Sequence, residues 1–162
     1  MTDKGFLQVD FTDLNNYIQE HKDREETFIR VARREYTDLS MLFETATRKL
    51  APMYDGELAR SISFDMPVWK GSVFQFAGGA GAAHALKQHE MPERKGKHDA
   101  YVDGVKHEGW YEDGRGKRTR QKPSYKGFLP GRKYLENALL AEEESIVAAE
   151  KRILDALGGN KR

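Results

Sequence analysis

Residues 23–52 read DREETFIRVARREYTDLSMLFETATRKLAP, and the fold turns on this stretch. Phe28, Val31, Ala32, Leu39, Leu42, Phe43, Ala46 and Leu50 recur at spacings of three and four, the period of one helix face. Arg30, Arg33, Arg34, Glu44 and Lys49 fill the other faces. Asp23 with Glu26 three residues on is a capping-box pattern, so the spacing predicts a helix that opens there and stops at Pro52. From Arg24 to Leu50 that helix would run about 40 Å, at ~1.5 Å per residue. A helix of such length with a single apolar stripe has to lie on a sheet or on another helix.

Upstream, Leu7, Val9 and Phe11 alternate within Gly5–Phe11, which predicts a short strand, and Thr12 would cap a short helix over Asp13–Glu20. Downstream the period changes to two. Ile62, Phe64, Met66 and Val68 alternate with polar residues, and Val73–Phe76 follows a tight turn at Lys70-Gly71, a β-hairpin pattern. Pro67 suits an edge or a bend. Gly78-Gly79-Ala80-Gly81 is expected to break the hairpin off, and Ala82–Gln88 fits either a strand or a helix. From Glu90 to Lys126 periodicity is lost among Gly, Lys, Arg, Asp and His, although Asp103-Gly104 and Asp113-Gly114 are turn signals and Tyr101, Val102, Val105, Trp110 and Tyr111 allow a loosely paired hairpin. Pro130 suits a first helical turn. Beyond it Leu135, Leu139, Ile146, Ala149, Ile153 and Leu157 form a stripe near heptad spacing, interrupted by Glu142 and ended by Gly158-Gly159. The expected fold is α+β: a long N-terminal helix and a C-terminal helix packed on a small antiparallel sheet, with a long variable loop. Residues 1–162 form a single domain, with a core from 5–92 and 127–158 and an extended arm from 93–126.

The 162 residues suffice for one domain with a sizeable core. A charged fraction of 33% against 38% hydrophobic is polar for a compact monomer, which predicts solvated loops or polar contacts with partners. Net charge is +1, so the overall balance points to neither nucleic acid nor membrane. The chain has no cysteine, hence no disulfide framework or thiolate chemistry. No apolar run approaches the ~20 residues of a membrane span. Met1–Asp10 lacks the basic and apolar regions of a signal peptide, so synthesis and use in the cytosol are expected.

Chemistry-bearing residues do not assemble into a motif. His84, His89, His98 and His107 lack the tight spacing of zinc ligands, and neither His89-Glu90 nor His107-Glu108 extends to HExxH. Gly79-Ala80-Gly81 follows a strand pattern but lacks the third glycine and long helix of a dinucleotide loop, and there is no GxxxxGK[ST]. Asp65, Glu90, Glu93 and Asp99 are unpaired in spacing, and Ser61 and Ser63 lack a nucleophile elbow. The expectation is a protein that is not an enzyme, with no cofactor and no metal. The basic run Arg115, Lys117, Arg118, Arg120, Lys122 and Lys126 contains no acid and includes Tyr125, which leaves open a nucleic-acid-binding module or a solvated arm that orders on a partner.

Element order adds a resemblance. The long helix ends in Ala51-Pro52, then come Asp55-Gly56-Glu57-Leu58 and Ser61-Ile62, the hairpin, a variable segment, and Lys133-Tyr134-Leu135-Glu136 opening the last helix. This resembles the tail-completion or neck family of tailed bacteriophages, whose members include minor capsid and tail-component proteins. His89-Glu90 resembles the family's His-Glu or Glu-Tyr pair, with His84 where an aromatic would stand, and His107-Glu108-Gly109 is an equal candidate. The resemblance covers most of residues 5–157 outside 93–126. It implies a structural virion protein at the head–tail junction, made in the host bacterial cytoplasm. Such a protein forms a ring of roughly six or twelve copies against neighbouring neck, connector and tail-terminator or tail-tube proteins. Transient contact with genomic DNA in the lumen, and no membrane partner, would go with it. Pro52, Gly56, Leu58, Ile62, Tyr134 and Leu135 are expected to make the core-fold motif. His89, Glu90, Trp110, Tyr111, Arg115, Lys117, Arg118, Arg120 and Lys122 are the residues expected at interfaces. Deleting Arg115–Lys126 is expected to leave the fold intact.

Overall fold

The computed structural model describes residues 12–71 and 73–158, so the strand predicted at Gly5–Phe11 lies outside it. Helix α1, Thr12–Leu50, is one unbroken element of 39 residues. The predicted helix start at Asp23 is displaced: Asp23 sits inside α1 and accepts a hydrogen bond from Gln19 Nε2 at 2.8 Å. Nothing between Asp13 and Lys22 breaks a helix, and Glu20 pairs with Arg24 one turn on, which supports continuation. Ala32, Leu39, Phe43, Ala46 and Leu50 are buried along one side of α1.

After Ala51-Pro52 the chain turns through Gly56, whose φ of +88° is a left-handed conformation. A Cβ there would also lie 2.9 Å from the Arg60 guanidinium. Asp55 Oδ1 accepts the Glu57 N–H at 2.9 Å, satisfying the first free donor of the short helix α2, Glu57–Arg60, whose cap position is Gly56. The hairpin follows in two paired sections. Strands β1 (Ile62–Phe64) and β4 (Gly78–Ala80) are antiparallel, as are β2 (Val68–Lys70) and β3 (Val73–Gln75). Between the sections Asp65 N donates to Ala77 O at 2.7 Å, across the bend where Pro67 is buried. The glycines expected to break the hairpin therefore form its last strand. Their lack of side chains is the reason they pair there: a Cβ on Gly78 would come within 2.1 Å of the Phe64 ring. Trp69 and Phe74 face α1, with ring centroids 5.7 and 6.3 Å from Phe28, and Phe74 lies 5.6 Å from Tyr36.

Helix α3, Ala85–His89, resolves the ambiguous segment. Beyond it the predicted arm is largely a three-stranded antiparallel meander, β5 (Lys97–Val102), β6 (Val105–Glu112) and β7 (Arg115–Gly116), followed by helix α4, Lys117–Arg120. Both Asp-Gly pairs make its turns, with positive φ at both residues: 49° and 80° at Asp103-Gly104, 51° and 75° at Asp113-Gly114. That is the backbone required by a two-residue type I′ hairpin. The strands hide their period because most of their side chains are polar; among β5 and β6 residues only Ala100 is buried.

Pro130 is buried in the bend before the last helices rather than in their first turn. Lys133, at φ 54°, precedes α5, Tyr134–Ala141. After Glu142 the chain continues as α6, Glu143–Gly158. Both helices pack along α1. One core joins Ala46, Leu50, Ala51, Leu58, Ile62, Ala85, Tyr134 and Ala138; a second joins Leu39, Phe43 and Ala149. Arg152 Nε reaches the buried Glu35 carboxylate at 2.6 Å and fastens α6 to α1. The fold is α+β: a long N-terminal helix, C-terminal helices and small antiparallel sheets. Among the described residues no helix is long and apolar enough to cross a membrane.

Candidate functional site

The segments that carry the resemblance are far apart in sequence and meet in one place. Leu58, Ile62 and Tyr134 are nearly or fully buried in the first core, with Leu135 packed against it, Gly56 buried beside it and Pro52 half-buried at the end of α1. Tyr134 OH donates to Ala85 O at 3.2 Å, and burial pushes the phenol pKa up, so this donor stays protonated.

His89-Glu90 lies directly against Lys133-Tyr134. The His89 ring meets Tyr134 edge-on at 5.2 Å, and its Nδ1 is 2.7 Å from Glu90 Oε1. Lys133 Nζ donates to both Glu90 oxygens, at 2.9 and 3.1 Å, while Lys133 N donates to His89 O at 3.1 Å. Lys133, then His89, hold the Glu90 carboxyl below its usual range. The left-handed backbone at Lys133 allows one residue to make both bonds. This junction fixes where α5 starts relative to α3, and Glu90 remains half exposed at its rim.

The basic run divides. Lys122 Nζ donates to Arg48 O at 2.9 Å and Ala51 O at 2.6 Å, closing the C-terminal end of α1 with a cation on its free carbonyls. Burial pulls the Lys122 pKa down. Arg120 Nη1 donates to Trp110 O and Arg115 O, both at 3.0 Å, and ties α4 to β6 and β7. Thr119 is buried and exchanges hydrogen bonds with Met53 N and O at 2.9 and 3.2 Å. Lys126 Nζ pairs with Glu142 at 2.7 Å. Only Lys117 and Arg118 of the predicted interface cations are well exposed; Arg118 donates to Tyr54 O, and Arg115 is half-buried. The stretch 115–126 is thus bonded into the domain, and these bonds argue against the expectation that it could be deleted without loss of fold.

Trp110 and Tyr111 are half-buried at the base of the meander. Trp110 stands edge-on to Tyr54 at 6.4 Å and to His107 at 5.4 Å. With Asp55, His84 and Gln88 they wall a cleft of about 60 Å³ between the meander and the α1–α2 turn.

His84, His89, His98 and His107 do not join a metal-holding cluster. His98 Nε2 contacts Lys95 O at 2.9 Å, His84 borders the cleft, and no group of three His, Asp or Glu among the described residues could hold a metal ion. Asp99 accepts Gly109 N at 2.8 Å and pairs with Lys106 at 3.1 Å; these contacts, the backbone one foremost, lower its pKa. Ser61 Oγ donates to Leu58 O and accepts Ala82 N, a turn-fastening role.

Sequence reasoning passed over Glu142 except as an interruption of the apolar stripe. Its side chain is completely buried and accepts from Tyr125 OH, Lys126 Nζ and Ser145 Oγ, each at 2.7 Å. Burial pulls its pKa up, and these bonds outweigh that and leave it below the usual carboxylate range. Tyr125, half-buried and bonded to Glu142, is pushed up to about 12. A charged residue in place of an apolar one on a core stripe was the available signal.

No family model matches the chain, and neither a curated protein nor a solved structure matches it.

Proposed function

We propose that this protein is a non-enzymatic assembly subunit of a tailed bacteriophage, packing as a ring at the head–tail junction beside neck, connector and tail proteins. The observation that carries this reading is the meeting of Ala51-Pro52, Gly56-x-Leu58, Ser61-Ile62, His89-Glu90 and Lys133–Glu136 around one core and its junction. These are the segments on which the family resemblance rests, and each has a physical task in positioning α1, the hairpin and α5. Met66, Val68 and Val73 on the hairpin and Leu140, Val147 and Leu154 on the C-terminal helices are exposed and open to contacts in an assembly.

The rival reading, nucleic-acid binding through Arg115–Lys126, is weakened because Arg118, Arg120, Lys122 and Lys126 are engaged in internal bonds, although Lys117, Arg118 and Lys126 remain exposed. The test is the mass of the purified protein in solution, alone and mixed with candidate neck and tail proteins. A defined ring, alone or with partners, is the expected result. A persistent monomer that binds DNA with a steep salt dependence would replace this reading with the nucleic-acid module.

A further inference from the structure

Two outward helix faces differ in chemistry and match in spacing. On α6, Val147 and Leu154 are 60% and 66% exposed and seven residues apart, continuing from Leu140 at the end of α5. Glu143 and Glu150, also seven apart and exposed, flank them, with Glu144 and Lys151 on the far side. On α1 the outward face carries Arg30, Arg33, Arg34 and Met41, the last 55% exposed. Arg30 and Arg33 have no ion-pair partner among the described residues, whereas Arg34 is bonded to Glu35 at 2.7 Å; Glu26, Asp38 and Glu44 border the face, Glu44 already paired with Arg48 at 2.9 Å. Seven residues are two helical turns, about 10.5 Å, the spacing of Val147 from Leu154 and of Arg34 from Met41.

Each helix turns its buried side to the other, through Leu39, Phe43 and Ala149 and the Glu35–Arg152 pair, so the two exposed faces look away from each other. An acidic-flanked apolar stripe on one side and an arginine-rich face with an apolar centre on the other are complementary between copies, not within one.

We infer that the α6 face of one copy docks on the α1 face of the next, Leu154 against Met41, with Glu143 and Glu150 opposite Arg30 and Arg33. The contact joins two different patches, so it propagates head to tail and either closes a ring or extends. It rests on the ring reading for closure, and on the charge and spacing of the two faces for the contact itself.

The test compares solution masses by light scattering. The wild-type chain is expected at a multiple of its 18.5 kDa. The reversals Glu143→Arg/Glu150→Arg and Arg30→Glu/Arg33→Glu are each expected to fall to the monomer mass with an unchanged melting temperature, since none of these residues is buried. The quadruple variant with both reversals is expected to recover the wild-type mass. Reversals that leave the wild-type mass unaltered would overturn this contact while the ring reading stands. Reversals that still assemble but lose binding to a neighbouring neck protein would assign the α6 face to that protein and likewise overturn it. A wild-type chain that is monomeric at every concentration and with every neck partner would overturn both.

Discussion

Replacing Glu142 by Ala removes the single acceptor shared by Tyr125, Lys126 and Ser145. A hydrogen bond to a charged group contributes about 1.5–3 kcal/mol, and three on one carboxylate are not additive. Lys126 is 45% exposed, so its freed charge returns to water and the Coulombic part is discounted. Alanine at a position between two helices recovers a few tenths of a kcal/mol of propensity. The net loss is about 2–3 kcal/mol, which for a domain of this size lowers the melting temperature by roughly 5–10 °C. The assay is thermal melting followed by circular dichroism across pH. Because the folded pKa of Glu142 is depressed, its stabilisation is present above the ordinary carboxylate pKa and is lost as pH falls through the folded value. Wild type and variant should therefore differ near neutrality and converge in acid. A variant that melts within about 1 °C of wild type near neutral pH, or a gap that persists undiminished in acid, would refute the view that this carboxylate is an ionised anchor.

Other perturbations test separate joints. Gly78→Ala should lose about 1–3 kcal/mol by driving a methyl into the Phe64 ring, read as an earlier midpoint in urea, whereas Gly79→Ala, which meets nothing within 4 Å, should change it little. Lys122→Ala should lower stability by about 1–3 kcal/mol through the uncovered carbonyls of Arg48 and Ala51; an unchanged midpoint would sink the capping role. Deleting Arg115–Lys126 should abolish cooperative unfolding, because it removes the buried Thr119, the α1 cap and two of the three partners of Glu142; a deletion product with a sharp melting transition would contradict that. Arg152→Ala should cut stability most above the ordinary carboxylate pKa and less in acid, since Glu35, held low chiefly by Arg34 and then by Arg152, must be ionised to feel the loss.

The apolar period of residues 28–50 was enough to place α1 and its buried side, because burial of a long helix leaves a regular stripe. Its beginning was not legible: Asp23 and Glu26 satisfy a capping pattern, yet only a break upstream would make it a start, and residues 13–22 contain none. The hairpin was legible from alternation, but not its last strand, since glycines that pair under an aromatic ring carry no hydrophobic signal of their own. The meander was visible mainly in its turns. Its strands are mostly polar, so two Asp-Gly pairs and a few aromatic and β-branched residues, Tyr101 to Tyr111, were the whole of the local message. For the candidate site, the sequence pointed to His89-Glu90 and Lys133-Tyr134 separately, and their contact across 43 residues is a tertiary fact. The basic run shows the opposite failure: composition suggested an outward-facing cluster, while carbonyl ends and a buried carboxylate engaged Lys122, Lys126 and Arg120 and left Lys117 exposed.

The pairing of α6 with α1 also sets a schedule for folding. The apolar side of α1 around Phe43 is covered in two steps: Phe64 and Phe76 of the hairpin come first, and Ala149 of α6 completes the cover about a hundred residues after Phe43 in synthesis. At a ribosomal rate of ~5–20 residues per second, the α6 side of that face stays open for roughly 5–20 s. During this interval the nascent chain presents a half-covered amphipathic helix, a target for chaperones and for helices of other nascent copies. Closure by the C-terminal helices then acts as a completeness check: a product truncated before α6 cannot bury its spine, and the acidic-flanked face carried by α6 exists only on chains that have finished their core.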